Sequence, residues 1–355
     1  MGSTATRNLE WTPNVMRSLF IVLSLTGLLP QQGPEVLWSR GERARAIEAL
    51  EAQLERGETP AARRQLVEWC FAVHRYRAAL DGAAKLGEEG AALEGRALYF
   101  LGRYTEALEL LPKDDGEAVL MRIEALRALG REWAEWVDVA GDLLGETDER
   151  VFGLRGRVCL EGGEFEEAAL WFEAVLEVEA LDAEALFGLG RALVLWGERE
   201  RGMVVLERHR EVTPLLDALE FAQRGLDLAP AHGANHAAVG DAWRSLVPFD
   251  RGSYRRAERS YRRAVKLLSG AERVPVHLRH ARLVAEHGRG ALEAAKILDG
   301  VLEELEDVRL LVRAADLYLE GGEKWKGVER LERALALKPD DEAIAARLRE
   351  AGGSE

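Results

Sequence analysis

The stretch Gly156-Arg157-Val158-Cys159-Leu160-Glu161-Gly162-Gly163-Glu164-Phe165-Glu166-Glu167-Ala168-Ala169 decides the fold. Its first half carries apolar and small residues at helical spacing, a glycine pair interrupts it, and the pattern resumes behind an aromatic residue. That is the sequence of a helix hairpin. Gly156 lets a neighbouring helix approach closely, Gly163 allows the turn, Phe165 packs back into the hairpin, and Ala168 marks the crossing of the two helices.

Working outward, the same grammar recurs. Gly95-Arg96-Ala97 leads to Leu101-Gly102-Arg103-Tyr104 and Ala107, and Leu189-Gly190-Arg191-Ala192 leads to Trp196-Gly197. In all three cases the two glycines stand seven residues apart. Tyr76 with Ala79 and Tyr254 with Ala257 repeat the aromatic and small pair. The turn glycines Gly130, Gly163 and Gly197 are separated by 33 and 34 residues, and Gly288 and Gly322 by 34. From Glu35 to Leu348 no run of β-branched residues alternates with polar ones, whereas Ala, Leu, Glu and Arg recur at spacings of three and four. The chain reads as all-α.

With that period and hairpin grammar the chain resembles a tetratricopeptide repeat protein, whose unit of about 34 residues is two antiparallel helices. The resemblance covers about residues 35–340 and implies a right-handed superhelical solenoid of eight to nine units. It also implies a protein- or peptide-binding scaffold without an enzymatic role. In that family the first helix of each pair faces the concave groove. The expected organisation is an N-terminal segment over 1–34, an array over 35–214, an irregular segment over 215–252, a second array over 233–340, and a capping helix with a frayed tail over 341–355. The irregular segment follows from the 55 residues between Gly197 and Gly252, 21 more than one period. Thr213-Pro214 reads as a helix start with Thr as cap, so Leu215–Leu228 is expected to be an additional helix ending at Ala229-Pro230, with a break in curvature beside it.

Composition narrows the function. Against 48 Lys and Arg stand 62 Asp and Glu, a formal charge of −14, the wrong sign for a generic nucleic-acid binder. The two cysteines, Cys70 and Cys159, lie far apart inside apolar helical patterns and read as small buried hydrophobes. No zinc-ligand spacing, GxSxG or phosphate-binding glycine loop is present, so neither metal nor cofactor is expected. His232 with His236 and His277 with His280 do not form the HExxH arrangement. Near the start, Arg17 precedes the apolar run Leu19–Leu29 and the polar break Pro30–Pro34. This reads as an export or anchoring signal, with an apolar cap on the fold in a cytoplasmic protein as the alternative; the run is too short to span a bilayer.

Candidate binding residues come from the first helices. The place directly after the first small residue holds Arg96, Arg157, Arg191 and Arg282, with Glu124, Asp241 and Asp316 in the other units. One turn earlier stand Leu93, Met121 and Leu154 in the first array and Arg279 and Arg313 in the second, with Arg309 beside them. Together they read as an arginine ladder with apolar anchors, suited to an acidic protein segment. The alternative is a solvated face paired with the abundant glutamates. Arg309 and Arg313 match the basic pair of the family's clamp for C-terminal carboxylates, but Ala237, Ala238, Asp241, Leu278 and Arg282 stand where its asparagines and remaining lysine belong. That specificity is not carried over. A second basic stripe comprises Arg255, Arg256, Arg259, Arg262 and Arg263, flanked by Arg251 and Lys266. It reads as a stripe for an anionic surface, RNA or a partner's acidic patch, or as an exposed helix paired with acidic neighbours. A scaffold using the convex face and the 215–252 break is the rival binding mode. An enzymatic site at His232–Gly252 is the rival of another class.

Overall fold

A computed structural model describes residues 33–352, and these form nineteen α-helices with no strand. Helices α1 (Pro34–Ser39) and α2 (Arg43–Arg56) precede the antiparallel pairs α3 (Pro60–Ala72) with α4 (Tyr76–Ala84), α5 (Ala91–Phe100) with α6 (Tyr104–Leu110), and α7 (Gly116–Ala128) with α8 (Trp136–Leu144). There follow α9 (Glu149–Gly162) with α10 (Phe165–Val178), α11 (Ala183–Trp196) with α12 (Arg199–Leu228), and α13 (Gly233–Leu246) with α14 (Gly252–Leu267). Helices α15 (Arg273–His287) and α16 (Ala291–Leu302), α17 (Val308–Glu320) and α18 (Lys324–Leu337), and the closing α19 (Glu342–Gly352) complete the chain. First helices also touch first helices, as α9 touches α11 and α15 touches α17. This is a helical-repeat solenoid of tetratricopeptide-like hairpins.

Each hairpin is built as its residues dictate. Asp115, Asp148, Asp182 and Asp307 cap the first helices α7, α9, α11 and α17, their carboxylates accepting backbone N–H groups of the first turn. Gly163 takes up φ +83°, and a Cβ on Gly156 would stand 3.0 Å from the Phe172 ring of the partner helix. The crossing residues Ala79, Ala107, Ala168 and Ala257 have no exposed surface. Cys70 and Cys159 are buried thiols, and burial pushes Cys70 up to about 11. Helix α6 is only 7 residues long, and the buried guanidinium of Arg122 serves its end by donating to the Leu108 and Leu111 carbonyls at 2.7 and 2.9 Å.

The irregular segment differs from its sequence reading. Thr213 and Pro214 do not begin a helix: α12 runs unbroken for 30 residues through both. The excess sequence is an extension of a second helix rather than an extra one, although its end at Leu228 is as expected. The reason is tertiary. Val212 and Leu219 are buried on either side of the proline, in a cluster with Leu186, Val239 and Leu246, and Leu215, Leu216 and Leu226 extend the same stripe. Pro214 lacks the N–H that would reach the Arg210 carbonyl, and Thr213 bends its hydroxyl back onto the His209 carbonyl at 2.7 Å. Arg208, on the same helix, donates to the Ala180 and Phe249 carbonyls and so joins the turns on either side. Within the expected cap and tail over 341–355, helix α19 runs to Gly352 and buries Ala351. The export signal falls on residues 1–32, outside the described residues. No helix among the described residues is long and apolar enough to cross a membrane.

Candidate functional site: a basic groove on the first helices

Several ladder-place side chains, each one residue after a small residue on a first helix, form ion pairs with neighbouring first helices. Arg96 on α5 meets Glu68 on α3 at 3.7 Å, Arg157 on α9 meets Glu124 on α7 at 3.5 Å, and Arg347 on α19 meets Asp316 on α17 at 2.9 Å. Arg157 also pairs with Glu184 on α11, so carboxylates hold it from both sides, and Arg127 reaches the same two groups. Arg157 is 9% exposed. Arg96 lies over the Phe71 ring at 4.4 Å, and Arg191 over Phe187 at 5.7 Å.

In the first array these contacts enclose Arg157, whereas Arg96 stays 40% exposed beside Glu68 and Arg191 is exposed. Leu154, expected as an anchor, is buried in the core with Val119, Ile123 and Val151. Leu93 and Met121 are half-buried and packed against core clusters. The physical reason at Arg157 is reach: Glu124 at the matching place on α7 and Glu184 at the start of α11 both come within ion-pair distance of it.

The second array is different. Arg279 and Arg282 of α15 and Arg309 and Arg313 of α17 all line one open groove of about 800 Å³, together with Lys338 and with Arg347 of α19. Leu278, Val308, Val312 and Ile344 give it apolar ground, and Glu286, Asp316 and Asp341 are its carboxylates. Six cations thus stand against three carboxylates. Every one of the six has a local acid: besides the Arg347–Asp316 pair, Arg279 pairs with Asp241 at 2.7 Å, Arg282 with Glu286 at 2.7 Å, Arg309 with Asp307 at 2.9 Å, Arg313 with Glu320 at 3.4 Å, and Lys338 with Asp341 at 2.7 Å. Arg282 and Arg309 remain 58% and 57% exposed, so these are solvated pairs, each contributing about 0–1 kcal/mol and open to exchange. The Arg309 hydrogen bonds hold the Asp307 carboxyl below the usual range.

The sequence reading thus named four of the groove's cations and missed Lys338 and Arg347. Arg347 follows Ala345-Ala346 on α19, the same small-residue signal that marks Arg282 after Ala281. Reading α19 only as a polar cap hid it.

On the basic stripe of α14, Arg255, Arg259, Arg262, Arg263 and Lys266 line a shallow hollow with Glu258. Arg262 pairs with Glu258, and Arg256 leaves the stripe, lying over the Trp243 ring at 4.6 Å beside Glu179. In the segment His232–Gly252, Asn235 donates to the Gly225 and Ala229 carbonyls, His236 to the Pro230 carbonyl, and Asp250 accepts from the Gly252 and Ser253 amides. These groups serve chain ends, while Asp241 accepts from the Tyr261 hydroxyl and pairs with Arg279, and Arg244 pairs with Glu286. Cys159, Glu164 and Glu167 come within 4.8 Å of one another, but burial and both carboxylates push the thiol up, away from the thiolate a metal requires.

No family model matches the sequence, and no curated protein matches it. Among solved structures the chain is similar to a thermophilic TPR protein of Thermus thermophilus, at 20% identity over 57% of this chain and 98% of that one, with a TM-score of 0.33. It is likewise similar to YrrB, described as a TPR protein with an unusual peptide-binding site, at 18% identity, 61% and 99% coverage and a TM-score of 0.29. The TPR domain of P58(IPK) matches at 17% identity over 90% of this chain and 95% of that one, with a TM-score of 0.24.

Proposed function

We propose that the chain is a non-enzymatic protein-interaction module that holds an acidic partner segment with hydrophobic anchors in the groove of α15, α17 and α19. The observation that carries this reading is the gathering of six cations, each held only in a solvated ion pair, around apolar ground in one groove of a chain whose overall charge is −14. An incoming carboxylate exchanges with an exposed one at little cost, and Arg offers it a bidentate partner. Burying one or two leucine-sized anchors over Leu278, Val312 and Ile344 supplies about 1.5–3 kcal/mol each. Charge therefore sets register and selects the partner, while apolar burial sets affinity.

Selection from a displayed random-peptide library on the intact chain tests it. The selected peptides are expected to combine Asp or Glu with Leu, Ile or Phe, and to weaken at least about tenfold on Arg279→Glu/Arg313→Glu with unchanged helical circular dichroism. Equal retention on that variant removes the groove from the account.

A second reading, a scaffold docking through its convex side, is favoured by α14. Among the described residues Arg255, Arg259, Arg263 and Lys266 have no carboxylate within ion-pair distance, unlike the groove cations. Partners held there fall away on Arg255→Glu/Arg259→Glu/Arg263→Glu and survive the groove variant. Placement at a cell envelope through Leu19–Leu29 is a separate proposal, tested by the N-terminus of the chain recovered from cells: a start beyond Leu29 supports it and an intact Met1 opposes it.

A further inference from the structure

Two turns near the start of the described chain touch a corner far along it. Gly41, between α1 and α2 and at φ +80°, lies so close to the α12–α13 corner that a Cβ on it would stand 2.9 Å from the Ala231 amide nitrogen and 3.0 Å from both the Ala231 Cβ and Pro230. His74, between α3 and α4, reaches the same corner: its Nε2 is 3.2 Å from the Asp227 carboxylate at the end of α12, and its Nδ1 is 2.7 Å from the Tyr76 hydroxyl. His74 also holds φ +57°, and among the described residues it is the one non-glycine in the left-handed region. It stands at the turn place that Gly41, Gly102, Gly130, Gly163, Gly197 and Gly322 occupy elsewhere. Where these turns use glycine, His74 places a side chain at a conformational cost, and that side chain meets the corner Gly41 also touches.

The α12 extension is what makes the contact available. At 30 residues against the 14 of α10, it carries Asp227, Pro230 and Ala231 beyond the place where a regular second helix ends. From Gly41 to Ala231 the chain passes through the intervening hairpins and returns on itself.

We propose that the α1–α2 and α3–α4 turns latch onto the α12–α13 corner and close the first array into a ring, whose inner face is reached only by opening the latch or by entering along the ring axis. The extension of α12 is then the closing arm. The groove of α15, α17 and α19 lies beyond that corner in the chain and stays outside the ring, so the latch governs a surface separate from the proposed peptide site.

Disulfide trapping in the intact chain tests closure. The separation of 3.0 Å between the Cβ positions of Gly41→Cys and Ala231→Cys is within a small adjustment of the roughly 3.8 Å that a disulfide spans. Cys70 and Cys159 are buried and stay out of the reaction. Under a mild oxidant this double variant is expected to form an intramolecular bond in the monomer. Adding His74→Gly and Asp227→Ala is expected to slow trapping about tenfold, because the open state gains population. Trapping at the same rate without the His74–Asp227 contact overturns the proposal; because a Cβ at Gly41 crowds the Ala231 amide nitrogen, absence of a cross-link overturns it when amide exchange at the latch is also unchanged. A measurement without added cysteines runs beside it: amide exchange at residues 40–43 and at Ala229, Ala231 and His232 rises in His74→Gly/Asp227→Ala with the global melt retained. Unchanged exchange there counts equally against the latch.

Discussion

Arg157 and Arg282 both follow a small residue on a first helix, and what each guanidinium meets differs with its neighbours. Arg157 has a glutamate at the matching place on α7 and another at the start of α11, so it is enclosed. Arg282 meets only Glu286 on its own helix and stays exposed. Arg157→Ala is expected to cost about 1–2 kcal/mol in urea denaturation, since both glutamates keep solvent and Arg127 as partial compensation, whereas Arg282→Ala stays within about 0.5 kcal/mol. The position of these residues was legible in the sequence, because the small-residue signal placed them on one face. Their pairing was not, because it depends on which neighbouring helices meet. His277 gives a pH handle. Burial foremost, then the neighbouring His280 and Arg273, push it down to about 4 against the opposing pull of Glu304. Its neutral form is thus the folded one, the unfolded chain binds the extra proton, and stability falls as pH drops from about 6.5 towards 4. His277→Gln is expected to flatten the fall of the urea midpoint across that window; an identical slope in both proteins contradicts it.

Helix by helix, the hairpin grammar of glycine, aromatic and alanine carries through to packing. Ala168 has no exposed surface at its crossing, so Ala168→Leu forces α9 and α10 apart and is expected to cost about 1–3 kcal/mol or more, read as a lowered melting temperature. Ala79, Ala107 and Ala257 were named by the same rule and are equally enclosed. The rule fails at α12. Thr213-Pro214 has the local chemistry of a helix start, but the apolar stripe from Val212 through Leu219 to Leu226 keeps one face against α11 and α13, and packing outweighs local preference. Pro214→Ala restores a donor to the Arg210 carbonyl and removes the ring clash. It is expected to stabilise the protein by about 1–3 kcal/mol, seen as a higher urea midpoint. A loss of stability would mean that the proline bend is required by the packing around it.

For the whole molecule, the two arrays divide the work. In the first array buried apolar clusters pack the hairpins and Arg157 is enclosed by carboxylates of neighbouring first helices, and the turns at Gly41 and His74 meet the end of the α12 extension. The second array keeps cations over apolar ground in solvated pairs, the guanidiniums of Arg282 and Arg309 more than half exposed. The central claim is that this groove holds an acidic segment with hydrophobic anchors. The measurement that tests it most directly is photo-cross-linking of a library-selected peptide, carrying a photoreactive residue beside its acidic positions, to the intact chain, with the labelled residues mapped by mass spectrometry. The account predicts labels on α15, α17 and α19, around Leu278, Val312 and Ile344. Labels confined to the convex face of α14, or to the first array, would contradict it.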